Sequence, residues 1–148
     1  MRKLLALALT LTFVAVVHAD TMYWCNAGGD NVWSTDANWT NAAGAAGAPG
    51  ASDDAVMNTG ENDTIALDAN TTVNSLILGQ GGSAVTGEYT LTIDAASSGL
   101  GFGGNYYGGS ASLGCDIALP NAAGTFGSAW QIVNWNQTLT FDGDVTVS

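Results

Sequence analysis

The sequence is built largely of short runs in which apolar and polar residues alternate, with turn residues between one run and the next. Alternation with a period of two places every second side chain on the same face of a β-strand. The intervening Gly, Asn and Asp favour turns, because Gly accepts positive φ and the other two bond their own backbone. No run reaches the length of an ordinary helix, so an all-β fold is predicted. The runs are residues 64–67, 74–78, 89–93, 116–119, 130–133, 138–141 and 144–147.

Two all-β architectures are compatible with this alternation. The same alternation recurs along the chain, and the polar connections vary in length, which stacked coils tolerate because insertions loop out at corners. We therefore predict a parallel β-helix, a β-solenoid that winds in successive coils. An antiparallel β-sandwich is the alternative, since many short strands with polar corners are also typical of sandwiches.

The first 19 residues have the features of a secretory signal peptide. Arg2 and Lys3 are positively charged, residues 4–17 are apolar, and residues 17–19 form a small-residue cleavage site before Asp20. The apolar run is too short to span a bilayer comfortably. We predict cleavage, a secreted or cell-surface location, and no direct membrane insertion of this segment; an uncleaved anchor is the alternative.

The charges beyond the signal peptide all have one sign. The chain has two Lys/Arg residues and one His, all before residue 20, whereas all 13 Asp and Glu follow residue 19. The carboxylates must therefore be hydrated, hydrogen-bonded or bound to cations. Nucleic acid is excluded as a partner, because no side chain can neutralise phosphate. Ser-His-Asp, Cys-His and His-ligated metal sites are excluded as well.

Composition divides the chain into residues 1–19, 20–60 and 61–148. The middle part contains three tryptophans and a loop of Gly and Ala at 41–50, and it is predicted to form an N-terminal cap. The last part contains most of the alternating runs and is predicted to form coils that continue beyond the end of this chain. Trp24, Trp33 and Trp39 admit two interpretations: an exposed platform on which sugars stack, or a plug that covers the end of the coils.

A Gly-rich stretch at residues 100–113 contains Tyr106 and Tyr107. It is interpreted as a mobile insertion between coils, and the alternative is an aromatic loop that contacts a ligand.

Several motifs follow one another from Trp24 through residues 33–39 to the Pro-Gly-Ala-Ser-Asp-Asp-Ala-Val motif at residues 49–56. Together they resemble the openings of large secreted bacterial proteins with autotransporter-associated β-strand repeats. Residues 68–76 resemble the next family motif, and residues 115–147 resemble one repeat. The two cysteines and the Tyr-rich and Gly-rich insert depart from the family pattern. The resemblance implies a right-handed parallel β-helix at the cell surface, usually without a catalytic role, as the first segment of a longer protein.

Cys25 and Cys115 are the only cysteines, and export would permit a disulfide between them. If the two cysteines lay in regular coils three rungs apart, roughly 14 Å would separate them. A disulfide needs Cα atoms within about 7 Å of each other. The bond therefore requires the cap to fold back along the stack. Otherwise each cysteine is expected to be a small buried apolar residue.

The acidic pairs Asp53/Asp54, Glu61/Asp63 and Asp142/Asp144 could bind Ca²⁺ loosely, although none has the spacing of a known calcium loop. Carboxylates in turns that face water are the favoured interpretation. No cofactor and no defined metal site are predicted.

Three functions remain open. The leading hypothesis is a non-enzymatic secreted or cell-surface segment with a structural or adhesive role, whose partners are surface glycans or other cell-surface proteins. The alternative is a carbohydrate-binding module that uses Trp24, Trp33, Trp39, Tyr106 and Tyr107. A polysaccharide-degrading β-helix enzyme ranks third and no catalytic residue is predicted, because adjacent acids on a strand point to opposite faces and make a poor catalytic pair.

Overall fold

The computed structural model describes residues 19–57, 63–78, 83–94, 100–102, 111–119, 130–132 and 139–147. The predicted signal peptide, apart from Ala19, lies outside these residues, as do Tyr106 and Tyr107. The described residues form twelve strands and a short 3-10 helix, Asp36–Asn38. The strands are β1 Thr21–Trp24, β2 Trp39–Thr40, β3 Asp54–Met57, β4 Thr64–Ala66, β5 Thr71–Val73, β6 Ser75–Leu78, β7 Ala84–Ile93, β8 Leu100–Phe102, β9 Ala111–Leu119, β10 Trp130–Ile132, β11 Leu139–Phe141 and β12 Val145–Val147.

The first sheet is mixed. Its strand order is β10-β8-β6-β3-β1-β2, and the first four pairings along this order are parallel. The fifth pairing is antiparallel and places Tyr23 opposite Thr40 and Trp24 opposite Trp39. The β1–β2 pair therefore brings two of the tryptophans together at one end of this sheet.

The second sheet is parallel, with the order β11-β9-β7-β4. Each of its two longest strands, β7 and β9, pairs with two short strands. β7 pairs with β4 at one end and β5 at the other, with a register shift between Thr86 and Thr90. β9 likewise holds β11 and β12. Gly87 lies at the shift with φ of +146°, and a Cβ there would overlap the carbonyl oxygen of Leu67.

The predicted parallel β-helix with a Trp-rich N-terminal cap is wrong, although the all-β class agrees with the observed strands. The strands form two distinct sheets, one mixed and one parallel, rather than uniform coils. The antiparallel sandwich is wrong too, because only the β1–β2 pairing is antiparallel among the described pairs of strands. The physical reason is that a period of two determines which face a side chain occupies but neither its partner strand nor the direction of that strand.

Both sheets contribute to one hydrophobic core. In β9 every second residue is buried, and the same alternation buries Met22 and Trp24 in β1. Burial of each large aliphatic side chain stabilises the fold by about 1.5–3 kcal/mol relative to exposure. Because β3 pairs with β6, the compositional boundary near residue 60 does not divide the first sheet.

Within the described part of the chain, no helix has both the length and the apolar character needed to cross a membrane.

Candidate functional site

Three tryptophans form a cluster beside the β1–β2 pair. The ring centroids of Trp24 and Trp39 are 5.1 Å apart in an edge-to-face arrangement, and those of Trp33 and Trp39 are 4.8 Å apart with an interplanar angle of 59°. All three side chains are buried. A sugar-stacking platform requires a ring face open to solvent, so these indoles as placed form part of the core and not a binding surface.

Two of the three indole N–H groups are hydrogen-bonded. Trp24 Nε1 donates to Asp63 Oδ2 at 2.9 Å, and Trp39 Nε1 donates to the carbonyl oxygen of Trp33 at 2.8 Å. Trp33 Nε1 is buried without a partner among the described residues. The first two bonds fix the orientation of their rings, which adds geometric definition to the cluster.

Asn38, the residue before Trp39, hydrogen-bonds to the loop at residues 28–32. Its side chain is buried, and its Nδ2 donates to Asp30 Oδ1 at 2.6 Å and to the Val32 carbonyl oxygen at 2.9 Å. Its Oδ1 accepts a bond from the Gly28 N–H at 2.9 Å. One buried amide therefore connects three positions of the loop at residues 28–32; the resemblance at residues 33–39 includes Asn38 but assigned it no role.

The carboxylate of Asp30 serves as the acceptor for this loop. The Val32 backbone N–H, then the Asn38 amide and the Thr35 hydroxyl, donate to it and hold the pKa of Asp30 below its ordinary value. Hydrogen bonds to the charged form favour ionisation, which explains the direction of the shift. The side chain is exposed, so this carboxylate is also hydrated.

Asp53 and Asp54 bind different parts of the chain. Asp53 accepts bonds from the backbone N–H groups of Asp20 and Gly50, both at 2.9 Å. Asp54 Oδ1 accepts bonds from Asn74 Nδ2 at 2.8 Å and from the Ser75 hydroxyl at 2.5 Å. The two adjacent carboxylates thus act as separate structural acceptors.

The remaining acidic pairs show no metal site in the described residues. No group of three or more His, Cys, Asp or Glu lies close enough to hold an ion there. Glu61 lies outside the described residues, and the Asp144 N–H donates to Asp116 Oδ1 at 3.0 Å. Loose Ca²⁺ binding stays a prediction from the overall negative charge.

No disulfide joins Cys25 and Cys115; both are free thiols, and of the two only Cys115 is the small buried residue that the alternative predicts. Cys25 is exposed just after β1, and its Sγ lies 3.6 Å from the Ala37 carbonyl oxygen. Cys115 lies in β9 among the buried side chains, where burial and then the charge of Asp116 raise its pKa to about 11. One thiol faces solvent and the other the core, so the two sulfurs are not placed for bonding.

An exposed aromatic residue that the sequence analysis did not select lies on the opposite side of β1 from Trp24. Tyr23 is 42% exposed and borders a cavity of about 360 Å³. The cavity is also lined by Asp20, Thr21 and Asn41, together with Ala19, Ala42 and Ala43. Asn41 Nδ2 donates to Asp20 Oδ2 at 3.1 Å. Strand alternation could have identified this residue, because neighbours in a strand face opposite sides.

No known protein family, no curated protein and no solved structure matches this chain.

Proposed function

We propose that this chain is a non-enzymatic, exported segment with a structural or adhesive role. The observation that supports the proposal is that its aromatic and acidic side chains serve to connect its own loops. The three clustered indoles pack on one another, while Asp30 and Asp54 accept hydrogen bonds from residues of neighbouring segments. Side chains that are used in this way support a rigid surface, which suits a structural or adhesive role.

The charge of the chain suggests the class of partner. After export no Lys, Arg or His would remain, so the surface would carry negative charge from 13 acidic residues. Such a surface stays hydrated and repels anionic polymers. Neutral glycans and basic patches on other cell-surface proteins are therefore the partners that we propose, in keeping with the resemblance to autotransporter-associated repeats.

The direct experiment measures binding and turnover on the same ligands. The exported protein is incubated with a panel of neutral polysaccharides and with intact cells, and both retained protein and released sugar are quantified. Retention without release of sugar supports the proposal. Release of reducing ends that depends on protein concentration would make the protein an enzyme and refute it.

A carbohydrate-binding function is the second candidate, and the Tyr23 cavity is the observation that favours it. An exposed aromatic ring next to a carboxylate and an amide offers both stacking and hydrogen bonding to a sugar. The three clustered tryptophans are buried and cannot supply that platform as they are placed. The proposed site therefore lies on the other face of β1, at Tyr23.

Tyr89 provides a matched control for this site, because it is 43% exposed on β7 in the other sheet. We expect Tyr23→Ala to weaken binding of neutral oligosaccharides by about tenfold or more, the effect of losing about 1.4 kcal/mol. Tyr89→Ala should leave the affinity unchanged in the same calorimetric titration. Equal affinity of the wild-type protein and Tyr23→Ala would exclude the cavity as the site.

A further inference from the structure

Among the described residues, which begin at Ala19, Asp20 is the first that hydrogen-bonds to the fold. Its backbone N–H donates to Asp53 Oδ1 at 2.9 Å, and its carbonyl oxygen accepts a bond from the Asp54 N–H at 2.9 Å. Its own carboxylate accepts the bond from Asn41. Ala19, the residue before it, is exposed. The boundary predicted for signal-peptide cleavage is therefore followed directly by a residue that is bonded to two separate segments.

Cleavage at this boundary would change the chemistry of the Asp20 nitrogen. A signal peptidase hydrolyses the Ala19–Asp20 peptide bond: the hydroxyl of water joins the Ala19 carbonyl carbon, and its proton joins the Asp20 nitrogen. At neutral pH the amine takes a further proton from solvent and becomes an ammonium group. The neutral amide donor is thereby replaced, at the same position, by a cation.

We propose that removal of the export signal creates an ion pair between the Asp20 α-ammonium and the Asp53 carboxylate, and that this pair fastens β1 to the loop before β3. The proposal rests on the export signal that the proposed function also assumes, but not on the structural or adhesive role. No Lys, Arg or His follows residue 18 in this sequence, so within residues 20–148 this ammonium is the sole cationic group. Asp53 Oδ1 lies 2.9 Å from this nitrogen, and a carboxylate so close favours the charged form of the amine.

The orientation of the Asp53 carboxylate is already fixed. Its Oδ2 accepts the Gly50 N–H at 2.9 Å, which leaves Oδ1 directed at the Asp20 nitrogen. A charge-assisted bond is about twice as strong as its neutral counterpart. Because the site is exposed, solvent screening limits the gain to that of a surface ion pair.

The first test determines the N-terminus. The full sequence is expressed with its own leader in a bacterial host, and the exported protein is analysed by intact mass and N-terminal sequencing. The proposal predicts a chain that begins at Asp20. A chain that begins at any other residue, or that retains the leader, would overturn it.

The second test uses the absence of lysine from residues 20–148. An acetylating reagent is applied, and hydroxylamine then removes acetyl groups from cysteine sulfur and tyrosine oxygen. Only the α-amine remains acetylated. We expect acetylation to raise the equilibrium constant for unfolding by roughly two- to fivefold, as for loss of one exposed ion pair. The effect should diminish in 1 M salt, where charges are screened within about 3 Å.

Variants then assign the effect to Asp53. In Asp53→Asn, acetylation should no longer change the unfolding equilibrium. Asp68 is the control, because its carboxylate accepts bonds from Ser34 and not from Asp20. In Asp68→Asn, acetylation should still raise the equilibrium constant for unfolding. A chain that begins at Ala19 keeps every side chain but displaces the ammonium by one residue, and should behave like the acetylated protein. An acetylation effect of equal size in Asp53→Asn and wild type would refute the ion pair.

Discussion

Replacement of Asn38 by alanine should destabilise the protein more than any comparable change at an exposed asparagine. The substitution removes the acceptor for the Gly28 N–H and the donor to the Val32 carbonyl oxygen, at a side chain that is fully buried. It also removes the bond to Asp30, which water can replace because that carboxylate is exposed. The buried amide of Asn38 is thus the group whose loss the loop cannot compensate.

The expected magnitude follows from the two backbone bonds. A hydrogen bond between neutral groups contributes about 0.5–1.5 kcal/mol, and more when its partner is left buried and unpaired. Without a contribution from Asp30, two such bonds give a loss of about 2 kcal/mol in the free energy of unfolding. That is a large share of the roughly 5–15 kcal/mol typical of folded domains.

The measurement is guanidinium unfolding followed by tryptophan fluorescence, with Asn70→Ala as the matched control. Asn70 is exposed and accepts a single bond, from the Thr90 N–H at 3.0 Å. We expect the control to lose about 0.5 kcal/mol. If the two variants unfold at the same denaturant concentration with the same slope, Asn38 does not organise the loop and the argument fails.

Three further outcomes are expected. Gly143→Ala should destabilise the protein, because a Cβ there would overlap the carbonyl oxygen of Cys115; Gly47→Ala, where the nearest atom is 3.9 Å away, should be close to neutral in thermal melts. A thiol reagent should titrate one cysteine in the native protein, Cys25, and two in denaturant; two fast thiols in the native state would contradict the burial of Cys115. Since hydrogen bonds lower the native pKa of Asp30, its contribution to stability is present above its unfolded value of about 4 and is lost as pH falls through the lower native value. In Asp30→Asn, the free energy of unfolding should therefore decrease less as the pH is lowered. The same pH dependence in the variant and the wild-type protein would contradict this expectation.

The positions of many strands could be predicted from alternation alone. The run at residues 138–141 corresponds to β11, and the run at 144–147 corresponds to β12. Their arrangement could not be predicted, because alternation carries no information on pairing. The run at 89–93, for example, is only the end of the longer β7, which turns at Gly87 to pair with a second short strand.

The candidate site was only partly accessible to sequence reasoning. The count and spacing of Trp24, Trp33 and Trp39 singled out the cluster, but an indole can serve equally well in a core or on a surface. The role of Asn38 was not predicted, because a buried amide is recognised by its partners, which are 6 to 10 residues away in sequence and meet only in the folded loop. Likewise, the bond from Asp20 to Asp53 joins residues 33 positions apart.

The three clustered tryptophans belong to the core, and two of their indole N–H groups are hydrogen-bonded. Hydrogen exchange of the indole N–H signals, followed by NMR with each signal assigned through a single Trp→Phe substitution, tests this placement. We expect strong protection of Trp33 and Trp39, which are buried, and of Trp24, which is bonded to Asp63. Exchange of all three at the rate of free tryptophan would show that the indoles are open to solvent and do not belong to the core.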